Sequence, residues 1–392
     1  MTAEAEAAGA GAEVVPTALR DVDLAVERYG ALGRRWLDAM WAGDPLADAV
    51  AQDGGASARL VRRAITDGVE WLGDDAPAPL RALFAALDAP PAWMDLDRCD
   101  RAAAHLVRQG REYGLVLGAA SLLAGAQNTV AGKPLAFTGR YANNAAVRSI
   151  EVGDWLTAVT TPGGMARDGA GFERTVRVRM IHAHVRAHLR SRAEWDGAAW
   201  GLPIPQPYMA FTLAEFCTVA LRAMAQLGAR YSDAETEDVV HLWRCVGWYV
   251  GVEDALLPRT IADYAPIEQL YALTSPGADP DDRAFVDALT EFQAAELARL
   301  LPARLTPSIV RGLQRAFVGD AIADDLGIPD TRWKHLPRVV APLTSTVNGA
   351  HDRLIPGGRD RRTARAFRTR VTEMERLRRT YDVGHDLVDD AA

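Results

Sequence analysis

Lysine is nearly missing from this chain: Lys133 and Lys334 are its only two, so almost all of its 44 basic residues are arginine. Set against 52 Asp and Glu, they leave a formal net charge of −8, which argues against polyanion binding as a global property; no nucleic-acid partner is expected. Cysteine is also scarce. Cys99, Cys217 and Cys245 are odd in number, widely spaced and without a CxxC, and so read as reduced core thiols, not as a disulfide scaffold. No Gly-rich phosphate loop, Walker lysine, GxSxG elbow or HExxH occurs. The start, "MTAEAEAAGAGAEVVPT", lacks the basic and apolar regions of a secretion signal, so a cytoplasmic protein is expected. The longest weakly polar run, "LVLGAASLLAGA" at 115–126, falls short of the roughly twenty residues of a membrane span, and no membrane partner is expected.

Strand-type alternation is nearly absent as well. What replaces it is spacing of three and four between apolar residues, near 18–40, 45–72, 97–126, 143–160, 172–192, 208–230, 234–257, 281–300, 306–326, 332–351 and 359–382. Proline and glycine clusters such as "TPGGMARDGAG" and "GLPIPQP" punctuate these segments as helix ends. Apolar residues make up 49% and charged residues 24%, enough for a large core in a soluble chain. The length alone would allow two domains, but no biased linker and no repeat divides the chain. The expected fold is all-α: a disordered Ala/Gly/Glu leader over 1–15, then a single large helical domain over 16–392.

The stretch "RTVRVRMIHAHVRAHLRSR" at 174–192 carries three histidines and six arginines in nineteen residues. At 100° per residue, with His182 at zero, Val178, Val185 and Leu189 fall between about −60° and −20°, so His182 lies on the apolar face. Arg186 and Arg179 sit on its other shoulder at about 40° and 60°. His184 and His188 fall on the far side with Arg177 and are expected to face solvent or pack. One helix therefore cannot turn all three imidazoles toward one ion, and only His184 and His188 could share a metal. A neutral imidazole in an apolar wall with arginines one turn away suits an axial haem ligand and haem propionates. A core histidine bonded to a carbonyl has the same spacing.

Other features read more simply. His241, with Cys245 one turn on and Trp248 beyond it, suits a core or pocket-edge position. The arginine-rich helix at 359–382 carries Glu373 and Glu375 and an apolar side of Ala366, Val371, Met374 and Leu377, and suits a solvated cap on the bundle. Aspartates in "LGDDAPAP" and "VEDALL" lack the spacing of a magnesium-dependent terpene enzyme.

The blocks "RVRMIHAHVRAHL", "GLPIPQPYMAFTLAEF" and "HLWRCVGWYVGVEDALLP", with "LVLGAASLLA" and "KPLAFTGR" upstream, together resemble the latex-clearing proteins (rubber oxygenases) and the wider MpaB-like oxygenase family over about residues 95–260. The resemblance implies a globin-like all-α core holding haem b through His182 as the iron ligand, with Arg179 and Arg186 beside it and Arg148 on the distal side. The chain departs from the rubber-cleaving members at Glu151 and Val152, where they keep Lys and Thr, and at Ala187, where they keep His. "AGAQNTVAGKPLAF" also offers no counterpart of their catalytic glutamate.

Arg148, Glu151 and Val152 are thus the expected distal, catalytic positions. A buried Glu151 could relay a proton, or could simply pair with Arg148. The resemblance implies a haem-dependent oxygenase or oxidoreductase that uses dioxygen or a peroxide, with a possible electron donor, on a small, largely apolar metabolite in a biosynthetic tailoring step. A haem or gas-binding protein on the same fold, a haem-dependent rearrangement, and a helical scaffold without haem are the alternatives.

Overall fold

The computed structural model describes residues 15–53, 57–73, 76–137 and 144–384; residues 1–14 of the expected leader, and His385, lie outside them. Among the described residues every regular element is a helix, as the period of three and four predicts. In the first third these are α1 (Val22–Tyr29), α2 (Ala31–Asp38), α3 (Pro45–Gln52), α4 (Ala58–Asp67), α5 (Ala78–Leu87) and α6 (Leu96–Val107). The middle third holds α7 (Arg111–Val116), α8 (Leu122–Ala126), α9 (Thr129–Phe137), α10 (Ala145–Val159), α11 (Ala170–Arg190), α12 (Gly197–Trp200), α13 (Gln206–Ala214), α14 (Ala220–Gln226) and α15 (Asp233–Val250). The last third holds α16 (Ile261–Thr274), α17 (Pro280–Leu297), α18 (Thr306–Val318), α19 (Asp320–Asp325), α20 (Leu336–Leu354) and α21 (Gly358–Thr380).

Several expected segments are divided, each for a local reason. The 18–40 segment breaks at Gly30 and the 97–126 segment at Gly110, both with positive φ. Four helices arise where none was expected: α5, the single turn α12, α9 and α16. The last two carry Pro134 and Pro266 within the helix, which masks their periodicity. The expected 208–230 segment stays whole: Gln206–Gln226 is one continuous helix, because the π-helical turn Glu215–Val219 joins α13 to α14. It is long and apolar enough to cross a membrane by length and composition, but it lies mostly buried inside the fold.

The main apolar core runs from Ala25 to Leu313 and is anchored by wholly buried Trp36, Trp243, Tyr264 and Phe172. α15 enters it behind a capping box in which Ser232 and Glu235 each satisfy the other's backbone N–H. α11 crosses this core with α3 on one side and α10 and α15 on others, which leaves one flank of α11 open to a cavity.

Candidate functional site

The cavity has a volume of about 1130 Å³, beyond the range of roughly 300–1,000 Å³ usual for small-molecule sites. Its walls come from α4, α8, α9, α10, α11, α13, α15, α16 and α17, and they are mostly aliphatic and aromatic. α11 contributes Val178, Ile181, His182 and Val185. His182 lines the cavity, and its Nδ1 is buried without a hydrogen-bond partner among the described residues, so Nε2 is the nitrogen left to face the space. Burial pulls the imidazole down to about 3; the Arg186 and Arg148 charges reinforce that shift and Asp44 opposes it. His182 is therefore a neutral, unencumbered donor at any ordinary pH, the state a metal-ligating histidine requires.

Behind His182 the same helix is treated differently. Arg179 donates from Nε and Nη2 to the two carboxylate oxygens of Asp44, at 2.5 and 2.9 Å, and its Nη1 reaches the carbonyl of Tyr249 at 3.4 Å. Arg186 donates from Nε to Asp48 at 2.8 Å and from Nη1 to the Ile204 carbonyl at 3.2 Å. Neither arginine borders the cavity. Asp44 also caps α3, accepting the Ala47 N–H at 3.3 Å, with Pro45 as the first helical residue. Gly251 ends α15 with φ of +92°, and a Cβ there would strike the Asp44 carboxylate and Arg179. The two buried arginines thus lock α11 onto α3, and the guanidinium groups that do border the cavity are Arg62, Arg148 and Arg177.

On α10, Arg148 and Glu151 line the cavity as a pair, Nη1 to Oε2 at 2.8 Å, with Val152 beside them. The structure thus brings Arg148, Glu151, Val152 and His182 to one space and sets Arg179 and Arg186 behind it. His184 and His188 are exposed, and they also border the cavity, because the open flank of α11 sweeps from His182 through Val185 and Ile181 to the opposite side.

Sequence reading overlooked Glu215. Its carboxyl is buried in the cavity wall, has no ionic or hydrogen-bond partner among the described residues, and is held well above the ordinary carboxylate range by burial. Two π-helical turns set it there. Glu215 opens the turn 215–219, and its freed backbone carbonyl accepts from Ser121 Oγ at 2.6 Å, the last residue of the facing turn Leu117–Ser121. A Cβ at Gly125 would displace the Glu215 carboxyl, so glycine there makes room for it. The one signal in the sequence is a single acid inside the apolar run "YMAFTLAEFCTVAL".

The family model described as "ER-bound oxygenase mpaB/B'/Rubber oxygenase, catalytic domain" matches residues 107–349. A curated relative, the rubber oxygenase of Streptomyces sp. (strain K30), is 26% identical over 289 residues, covering 71% of this chain and 67% of its own. Among solved structures, that of latex clearing protein in its closed state matches with a TM-score of 0.61 at 22% identity, over 86% of this chain and 91% of the other. At that identity the last match speaks for the shared helical fold.

Proposed function

The chain belongs to the MpaB/rubber oxygenase catalytic-domain family, and on that premise we propose that it is a haem b-dependent oxygenase of a small, largely apolar metabolite, with His182 as the iron ligand. One observation carries the reading: a neutral imidazole with an unpartnered Nδ1 in the wall of a large, mostly apolar cavity. These residues fit the group. The donor is uncharged and desolvated, and the cavity is large enough for a macrocycle together with a second small molecule. Arg62, Arg148 and Arg177 are the cavity-lining cations suited to its carboxylates. Bound there, haem b would supply a redox-active iron for chemistry with dioxygen or a peroxide.

This chain's own residues then do the rest. Val178, Ile181 and Val185 on α11, with Phe216 across the space, hold an apolar substrate and exclude water. The locked Arg179 and Arg186 fix the axial position and rotation of α11, and so the aim of His182. Glu215, whose carboxyl burial favours the protonated form, is the group suited to deliver a proton inside the cavity. Arg148, tied to Glu151, presents a fixed positive charge to an anionic oxygen or a substrate carboxylate. Glu151 and Val152 in place of Lys and Thr, and Ala187 in place of His, support a substrate other than polyisoprene.

The test is the visible spectrum of the purified chain supplied with haem, followed by dioxygen uptake with apolar candidate substrates. The expected result is a haem absorption band that His182→Ala abolishes and His184→Ala keeps. A chain that binds no haem, or a His182→Ala variant that binds it equally well, overturns the reading.

A further inference from the structure

On the side of α15 away from the cavity, three metal-ligating side chains converge that the proposed oxygenase chemistry does not use. Cys99 comes from the first turns of α6; His241 and Cys245 lie one turn apart on α15, and all three are buried. Their donor atoms all lie within 4.8 Å of one another, and Cys245 Sγ is 3.5 Å from His241 Nε2. None of the three lines the cavity, although Val246 and Val250 of the same helix do.

We propose that Cys99, His241 and Cys245 bind one thiophilic divalent cation of zinc's class, at a site separate from the cavity. Tetrahedral zinc, with bonds of about 2.3 Å to sulfur and 2.0–2.1 Å to nitrogen, sets its ligands about 3.5–3.8 Å apart, so the side chains are already close to ligand spacing. Charge also balances. Two thiolates and a neutral imidazole cancel a divalent cation, which is what a buried site demands, and the two thiol protons leave to solvent on binding.

The surroundings supply an orienting shell and a fourth donor. The edge of the Trp93 ring meets the imidazole, and the Arg244 guanidinium lies 3.7 Å over Trp93. The carbonyl oxygen of Asp95, which caps α6, is 3.0 Å from Nε2 and is the oxygen placed to complete four-coordination. The Asp95 N–H now donates to that same nitrogen at 3.0 Å, and coordination exchanges this hydrogen bond for a metal bond. The ion would brace α6 against α15, the pair of helices with the most extensive mutual packing in the fold.

The whole chain, reduced and haem-supplied, is incubated with zinc chloride and desalted, and its metals are counted by mass spectrometry. The expected result is one zinc per chain in addition to any iron. In the Cys99→Ser/Cys245→Ser double variant zinc affinity should fall by at least about 100-fold with the visible and helical spectra unchanged, whereas Cys217→Ser should keep the zinc. A wild-type chain that takes up no zinc, or a double variant that takes up as much as wild type, overturns the proposal.

If the double variant loses its helical spectrum, alkylation of the wild type under mild denaturant decides instead. Zinc should protect Cys99 and Cys245 and leave Cys217 open, and equal labelling of all three overturns the proposal. The zinc count does not depend on haem, so a chain that binds zinc without haem refutes the oxygenase assignment alone.

Discussion

The two flanks of α11 handle polar groups in opposite ways. Toward α3, Arg179 and Arg186 are buried and each is met by a carboxylate. Toward the cavity, half-buried His182 has a buried Nδ1 left unpaired, and across the space Glu215 is buried with no partner among the described residues. A buried charge is tolerated only when compensated, whereas a buried titratable group without a partner is driven to its neutral form. The paired flank can therefore only hold. The unpaired flank keeps groups whose protons and lone pairs are available for chemistry.

That contrast can be broken at several points. The largest effect is expected from His182→Ala, which should eliminate haem absorption entirely. Next, Glu215→Gln should retain haem and lower turnover by about 100- to 10,000-fold, the range for loss of a general acid or base, and Gly125→Ala should move in the same direction by displacing the carboxyl. If Glu215→Gln turns over like wild type, the unpaired carboxyl is not a working group. Third, Asp44→Ala leaves Arg179 buried and uncompensated and should cost about 3–5 kcal/mol in chemical denaturation. A change below about 1 kcal/mol would mean that the lock does not hold α11.

The most diagnostic effect, small for each unit of pH, is on pH dependence in the cofactor-free chain. His182 takes a proton near 6.5 when unfolded and only near 3 when folded, so stability should fall as pH drops through that window, by up to about 1.4 kcal/mol per unit. Glu215 runs the other way. Its ordinary value of 4.5 is raised by folding, so its contribution is fully present below pH 4.5 and is lost as pH rises toward its folded value. In denaturation, His182→Asn should remove the fall in stability between pH 6.5 and about 3, and Glu215→Gln the loss that sets in above pH 4.5. A common change in both variants would show that the two groups are not titrating independently.

Much of this site was legible in the sequence, because a helical wheel is local. Period and phase put His182 on an apolar wall with Arg179 and Arg186 at its shoulder, while Arg148, Glu151 and Val152, which only the family resemblance pointed to, do share its space. What the wheel could not show is what stands opposite each shoulder. Asp44 and Asp48 lie about 135 residues earlier in sequence, so the pairing that removes both arginines from the cavity is a tertiary fact. Likewise His184 and His188 border the cavity because its opening wraps around α11, which no single-helix projection reveals. Glu215 was hidden for another reason: a π turn shifts the helical register by one residue, so a wheel drawn at constant pitch misplaces it. The unexpected α9 and α16 show the same limit, since proline at an interior position reads as a break unless neighbouring helices hold the turn together.

The lock between α3 and α11 also bears on where the working unit begins. The region shared with the oxygenase family starts at residue 107, yet the carboxylates that neutralise Arg179 and Arg186 are at 44 and 48. A chain trimmed to the shared region would carry two interior guanidinium groups with no counter-charge, directly behind the histidine on which the cavity depends. The family boundary and the electrostatic boundary of this protein are therefore different lines, and the second lies some sixty residues upstream of the first.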